Sequence, residues 1–258
     1  MSDIFNIEGK TALVTGAGSG LGADIAEVFS ESGATVICCD LSLAKLENTV
    51  SRLNKYGNRV LPLSCDVANE QDVNLLFNKI KELFGGLDIL VNNAGIADRE
   101  PTMTHELKTV EWKRVISVNL NGVFYCSRNA LRLMMQRKSG KIINIASMWG
   151  IAGSATFMPL PAYTATKGAV VNFTRELGLE YAPHGINVNA ICPGFFETQI
   201  NDGIFDNADF KRSCIDYTPA NRVARSDEIK GTALYLASGA SDFVCGHALI
   251  VDGGVMAQ

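Results

Sequence analysis

The octet Thr15-Gly16-Ala17-Gly18-Ser19-Gly20-Leu21-Gly22 constrains this chain more than any other stretch. It follows the apolar run Ala12-Leu13-Val14 and leads into 23–32, where apolar residues recur at helical spacing. Glycines at alternate positions allow a tight turn and let backbone N–H groups approach an anion, which the N-terminus of the following helix attracts. Asp40 closes the next apolar run, 18 residues past Gly22. Strand, glycine turn, helix and distal acid together imply a bound dinucleotide, with its pyrophosphate near Gly16, Ser19, Gly20, Leu21 and Gly22. A carboxylate at Asp40, followed by Leu41, can accept hydrogen bonds from both adenosine ribose hydroxyls and repels a 2′-phosphate. No Arg or Lys stands at 19 or 41 to offset that repulsion, so NAD is favoured over NADP. A competing role for Asp40 is to cap the helix that starts near Ser42.

The rest of the chain repeats the same alternation. Apolar, β-branched runs predict strands at 11–15, 35–39, 59–64, 88–91, 141–146, 187–191 and 248–251. Helical patterns lie between them at about 20–32, 43–56, 70–84, 122–136, 162–181 and 227–237, and Gly33, Gly57, Gly85 and Gly185 stand at helix ends. The strands are apolar from end to end, as when both faces of a sheet are covered. The expectation is an α/β fold: a doubly wound parallel sheet of about seven strands with helices on both faces, of Rossmann type. Ligands of such sheets bind outside the carboxyl ends of the strands. No linker, repeat or low-complexity tract divides residues 1–258, so one domain is expected.

Composition excludes several other functions. The net charge is −4 with no run of Lys or Arg, so no basic face is available for nucleic acid. The longest apolar runs, near 35–39 and 246–251, fall far short of a membrane span, and residues 1–9 do not read as a secretory signal. Seven cysteines, an odd number without a CxxC pair, and three scattered histidines imply neither disulfides nor a metal site. A reducing cytoplasm fits this pattern.

Three motifs carry a resemblance: the glycine turn, Asn92-Asn93-Ala94-Gly95 after the fourth strand, and Tyr163-Thr164-Ala165-Thr166-Lys167. Together, in this order, and with the Asp252-Gly253-Gly254 ending, they resemble the short-chain dehydrogenase/reductase family over nearly the whole chain. The resemblance implies Tyr163 as general acid/base, Lys167 as its partner, Ser147 as the hydroxyl that orients the carbonyl, and Asn119 as the fourth member. It places Asp66 and Val67 at the adenine ring, and Asn93, Ala94 and Gly95 beside a cofactor ribose. Pro193, Gly194, Phe196 and Thr198 would hold the nicotinamide carboxamide. Family members are usually tetramers built on two long helices, here 119–137 and 163–181, so a homotetramer is expected.

Elementary chemistry agrees with those roles. Tyr163 and Lys167 are four residues apart and share one helix face. A phenol titrates near ~10 in water, and an adjacent ammonium and the positive nicotinamide ring are expected to lower that value. Each residue also has a plainer role open to it: Ser147 as a cap for the next turn, Asn119 as an amide satisfying a helix.

Two segments depart from the family pattern. The interval from Ser147 to Tyr163 is 16 residues, a few more than usual, and the extra loop, about 148–161, brings Ser154 into question as an intruder on the site. The second segment, 195–221, is the expected lid. Trp149, Phe157, Met158, Phe195 and Phe196 would give a partly apolar pocket, and Glu197, Gln199, Asn201 and Asp202 would be hydroxyl-binding groups. Within the family the motifs are most similar to the sugar-acid and polyol dehydrogenase branch, of gluconate 5-dehydrogenase type. The substrate expected is a small secondary alcohol. A 3-oxoacyl or hydroxysteroid-type reductase is the enzymatic alternative, although Arg99, Lys113 and Arg114 form no evident basic cluster for an acidic carrier. A dinucleotide-sensing scaffold is the non-enzymatic alternative.

Overall fold

A computed structural model of the chain describes residues 3–198 and 204–258. Its strands and helices alternate from the start: β1 (Thr11–Thr15), α1 (Gly20–Glu31), β2 (Thr35–Asp40), α2 (Leu43–Asn54), β3 (Val60–Ser64), α3 (Glu70–Phe84) and β4 (Ile89–Asn92). Then come α4 (Thr109–Ile116), α5 (Val123–Arg137), β5 (Gly140–Ile145), α6 (Pro161–Tyr181) and β6 (Ile186–Pro193). The chain ends with the short β7 (Phe196–Glu197), α7 (Ala208–Tyr217), the short β8 (Ala224–Arg225), α8 (Lys230–Ala237) and β9 (Ala248–Val251). Seven strands form one sheet in the order β3-β2-β1-β4-β5-β6-β9, with every pair parallel. The order reverses between β1 and β4, which opens a crevice at the carboxyl edge there.

The uniformly apolar strands now have their reason. Neighbouring residues of β1 feed opposite layers. Ala12 and Val14 join Ile25 and Phe29 of α1, while Leu13 joins Phe77 and Ile80 of α3 and Met134 of α5. Between β4, β5 and the helices outside them runs a buried polar chain. Asn92 Nδ2 donates to Ser127 Oγ (2.9 Å) and Asn144 Oδ1 (2.8 Å), and Asn144 Nδ2 donates to Thr174 Oγ1 (2.9 Å). These bonds tie the sheet to α5 and α6 and oppose any register slip, because a slip would strand buried amides. On the other face Glu27, nearly buried on α1, meets Lys55 at 3.0 Å and Lys230 at 2.6 Å. Burial works against its charge, but hydrogen bonds from Lys230 and Lys55 and the nearby Arg52 hold its carboxyl at about 2.

Helix ends follow the sequence signals. Asn69 Oδ1 accepts from the Gln71 amide at 2.9 Å at the start of α3, and Gly85 ends that helix at φ 70°. Two helices, α4 and α7, were absent from the sequence pattern, and α7 buries only Cys214. α4 buries only Val115, so no apolar stripe announces it, and it runs into α5 through a π-turn at Ser117–Gly122. Helix 227–237 is also shorter than its pattern, since Ser226–Ile229 is a 3₁₀ turn. Among the described residues no helix is long and apolar enough to cross a membrane. All seven cysteines are free, and only Cys245 is exposed.

Candidate active site

The glycine turn packs against the segment after β4. A Cβ on Gly22 would stand 2.2 Å from the Gly16 carbonyl oxygen and 2.4 Å from Asn93 Nδ2, so position 22 tolerates no side chain. Asn93 Nδ2 donates to Thr15 O (2.9 Å) and Gly16 O (3.0 Å), and Thr15 Oγ1 accepts from the amides of Asn93 (3.0 Å) and Ala94 (3.1 Å). The Asn93 side chain thus braces the turn from behind. Ser19 gives α1 no side-chain cap, which leaves the first-turn amides available to an anion.

Asp40, at the end of β2, accepts from Gly18 N through Oδ2 (3.0 Å) and from Leu41 N through Oδ1 (2.8 Å). The carboxylate therefore belongs to the glycine turn, and α2 starts from Ser42. A cleft of about 1080 Å³ runs from Gly18, Ser19 and Gly20 past Asp40 to Thr198. Thr198 Cβ would lie 3.2 Å from a Cβ on Gly20, so the segment after β6 bounds the turn from the far side. Pro193 ends β6, and the Gly194 amide donates to Val251 O at 2.9 Å. Asp66 caps its own turn through Ala68 N (2.9 Å), and Val67 packs on Gly122, where a Cβ would meet it at 3.0 Å. Uncapped helix, glycine cradle and the Asp40 carboxylate lining one cleft fit a dinucleotide. One assignment needs correcting: the Phe196 side chain is 5% exposed and sits in the core, so only its backbone can face a cofactor.

The four candidate catalytic residues converge. Ser147 follows β5, and its hydroxyl accepts from Trp149 N at 3.1 Å and stands close enough to the Tyr163 phenol to pull its pKa downward. Capping the next turn and meeting the tyrosine are thus compatible. Lys167, on the same face of α6, is buried and donates to Ile145 O at 2.7 Å, with Nζ 5.6 Å from the centre of the Tyr163 ring. A Cβ on Gly95 would sit 3.4 Å from both Lys167 Nζ and Asn119 Oδ1, so Gly95 marks the meeting point of the two. The Asn119 side chain is engaged by protein: Oδ1 accepts from Ile96 N (2.9 Å), and Nδ2 donates to Ile96 O (2.8 Å) and Thr166 Oγ1 (3.2 Å). It satisfies backbone groups and does not reach toward a substrate.

The acid–base balance differs from the sequence expectation. Burial raises the Tyr163 phenol above its ordinary value, against the opposing pull of the nearby Ser147 hydroxyl. Burial also lowers Lys167 to about 8. The ammonium was expected to lower the phenol, but its hydrogen bond goes to the Ile145 carbonyl and it approaches the ring only from the side.

Above Tyr163 stands an aromatic wall. Trp149 and Phe157 are stacked at 6.3 Å, Phe157 and Phe195 are 4.9 Å apart, and Tyr217 of α7 lies 5.3 Å from Phe157. Met148 and Val255 complete the cluster that touches Tyr163. Ser154 does not intrude on the site: it is buried, with its hydroxyl 3.1 Å from Thr164 Oγ1. Glu197, expected to bind a substrate hydroxyl, is instead paired with Lys211. Gln199, Asn201 and Asp202 lie outside the described residues. Several residues had no sequence signal. Lys45, Asn48 and Arg52 face the cofactor cleft from α2, while Tyr217, Val255 and Asp98 reach the catalytic helix or its cluster from distant segments.

Comparison with known proteins gives consistent matches. The family described as Enoyl-(Acyl carrier protein) reductase matches residues 16–256. The 5-keto-D-gluconate 5-reductase of Escherichia coli strain K12 is 38% identical over 256 residues, covering 99% of each chain. A short-chain type dehydrogenase/reductase from Mycobacterium marinum superposes with a TM-score of 0.94 at 32% identity, covering 99% of each chain. A gluconate 5-dehydrogenase from Burkholderia cenocepacia J2315, solved with NADP and tartrate, gives 0.92 at 36% identity, covering 99% of this chain and 98% of the other.

Proposed function

Because the chain belongs to the short-chain dehydrogenase/reductase family, we propose that it is an NAD-dependent oxidoreductase acting on a small secondary alcohol or the matching ketone, with a polyol, sugar or sugar acid as substrate. The observation that carries this reading is the convergence of Ser147, at the carboxyl end of β5, with Tyr163 and, one turn further along α6, the buried Lys167, whose Nζ lies 5.6 Å from the centre of the tyrosine ring. Bound NAD supplies the hydride acceptor.

Each protein group then has one task. The hydroxyl of Ser147, a buried residue, orients the substrate oxygen. Tyr163 takes the proton from the substrate O–H in oxidation and returns it in reduction. Lys167 is held by Ile145 O beside the tyrosine ring, where its ammonium can donate to the nicotinamide ribose of a bound cofactor. Asn119 fixes Ile96 and so shapes the floor of the site. The aromatic wall of Trp149, Phe157 and Phe195 excludes water from the reacting atoms.

Asp40 supports NAD over NADP, since its carboxylate lines the cleft beside Gly18 and would repel a 2′-phosphate there. The Burkholderia relative was solved with NADP, so the preference is the first quantity to measure. The test follows reduced-cofactor absorbance, with NAD and NADP for polyols and sugar acids and with NADH and NADPH for a 3-oxoacyl ester. Turnover of the sugar acids with NAD upholds the proposal. Turnover of the ester alone assigns an oxoacyl reductase, and cofactor binding without any turnover assigns a sensing scaffold. We place the enzyme in the cytoplasm as one domain and a homotetramer. The exposed Phe124 on α5 and Leu179 on α6 support that assembly, which sedimentation tests.

A further inference from the structure

Helix α6, which carries Tyr163 and Lys167, has no cap of its own. Leu160 precedes it and offers no side-chain acceptor. Pro161 has no N–H, and the Thr164 amide bonds back to Leu160 O at 2.9 Å. The Ala162 and Tyr163 amides therefore need outside partners. Both find the same one. Asp98, 5% exposed in the segment after β4, accepts from Ala162 N through Oδ1 (3.3 Å) and from Tyr163 N through Oδ2 (2.8 Å).

Asp98 is itself held in place. Ile96 is clamped at both its N–H and its C=O by Asn119. Ala97 O accepts from Arg114 Nη2 at 2.7 Å, and the Arg99 amide donates to Glu111 Oε1 at 2.9 Å. Glu111 and Arg114 also bond each other, Nε to Oε2 at 2.9 Å. Every residue from 96 to 99 is thus bonded to α6, to α4 or to the π-turn. The Tyr163 carbonyl is fixed in turn, accepting from Thr166 Oγ1 at 2.8 Å. The tyrosine backbone is held at its N–H by one strap and at its C=O by another.

We propose that Asp98 is the positioning residue of Tyr163: a two-oxygen cap, braced by Asn119, Arg114 and Glu111, that sets the first turn of the catalytic helix relative to Ser147. This rests on the proton-transfer role of Tyr163 proposed above. The phenol oxygen lies at the far end of a long side chain, so a small tilt of the first turn becomes a large displacement at the reacting atom.

The test compares the wild type with Asp98→Ala and Asp98→Asn. It uses D-gluconate and NAD for kinetics, tryptophan fluorescence for NAD binding, and hydrogen exchange over the start of α6. Asp98→Ala is expected to lower kcat by roughly 10–100-fold with NAD affinity and substrate KM unchanged, the range that small misplacements of catalytic groups produce. The solvent isotope effect should grow, because proton transfer becomes the slow step, and the 162–163 amides should lose protection. Asp98→Asn keeps one acceptor oxygen and should fall between. Should Asp98→Ala not fold, Glu111→Ala loosens the strap while sparing the cap and is expected to lose part of kcat. Normal kcat in both remaining variants overturns the proposal, as does a loss of kcat with unchanged isotope effect and unchanged protection at 162–163. If the wild type binds NAD but turns over neither gluconate nor any other alcohol of the panel, the proposed function fails. The exchange measurement then decides alone whether Asp98 holds Tyr163.

Discussion

Gly22→Ala tests the cofactor turn most directly, since the added atom has nowhere to go. Its Cβ would lie 2.2 Å from the Gly16 carbonyl oxygen and 2.4 Å from Asn93 Nδ2. Restoring ordinary contact requires β1–α1 and the Asn93 segment to part by about 1 Å. That movement strains the packing at a cost of about 1–3 kcal/mol. It also breaks the Asn93 bonds to Thr15 O and Gly16 O, each worth about 1 kcal/mol. A total near 4 kcal/mol corresponds to a melting-point loss of roughly 8–16 °C for a domain of this size. Gly57→Ala is the control. Gly57 has φ +74° and nothing within 4 Å of an added Cβ, so only backbone strain remains, about 1 kcal/mol. Scanning calorimetry should separate the two variants clearly, and a fluorescence titration should show NAD affinity in Gly22→Ala reduced by at least ~100-fold. Equal melting points, or NAD affinity like that of the wild type, would refute the close-packed turn as the pyrophosphate site.

Three other measurements follow. Tyr163→Phe removes only the phenolic hydroxyl; NAD binding should persist while kcat drops by ~10²–10⁴, and a near-normal rate would reject the acid–base assignment. Asp40→Ala should shift the ratio of kcat/KM from NAD toward NADP, because the carboxylate that takes the Gly18 and Leu41 amides is lost; an unchanged ratio would assign the choice to other residues of the cleft. Lys167 has a folded pKa of about 8 against 10.5 unfolded. Between those values the unfolded chain binds the extra proton, so this group makes stability rise with pH over that window and burdens the fold below it. Chemical denaturation of wild type and Lys167→Met from pH 7 to 10.5 should show the wild type gaining on the variant as pH rises, and a constant difference would contradict the burial of the ammonium.

Much of this molecule was legible in its order of residues. Local rules governed what was read correctly. Apolar strands mean two covered faces, as the split of Ala12, Leu13 and Val14 between two layers shows. Glycines at 16, 20 and 22 mean a turn that something must approach closely, and the acid after β2 lines the same cleft because parallel strands share one carboxyl edge. Tyr163 and Lys167 share a face by helical spacing alone. What the order of residues did not show was settled by packing between distant segments. α4 escaped notice because it buries a single residue, and its π-turn places Asn119 against Ile96. Spacing brings the lysine near the phenol but does not say where it points, and Lys167 points at Ile145 O. Asp98 illustrates the general reason: a cap that bonds across 65 residues leaves no periodicity in the sequence, since only the folded sheet brings its carboxylate to the Tyr163 amide.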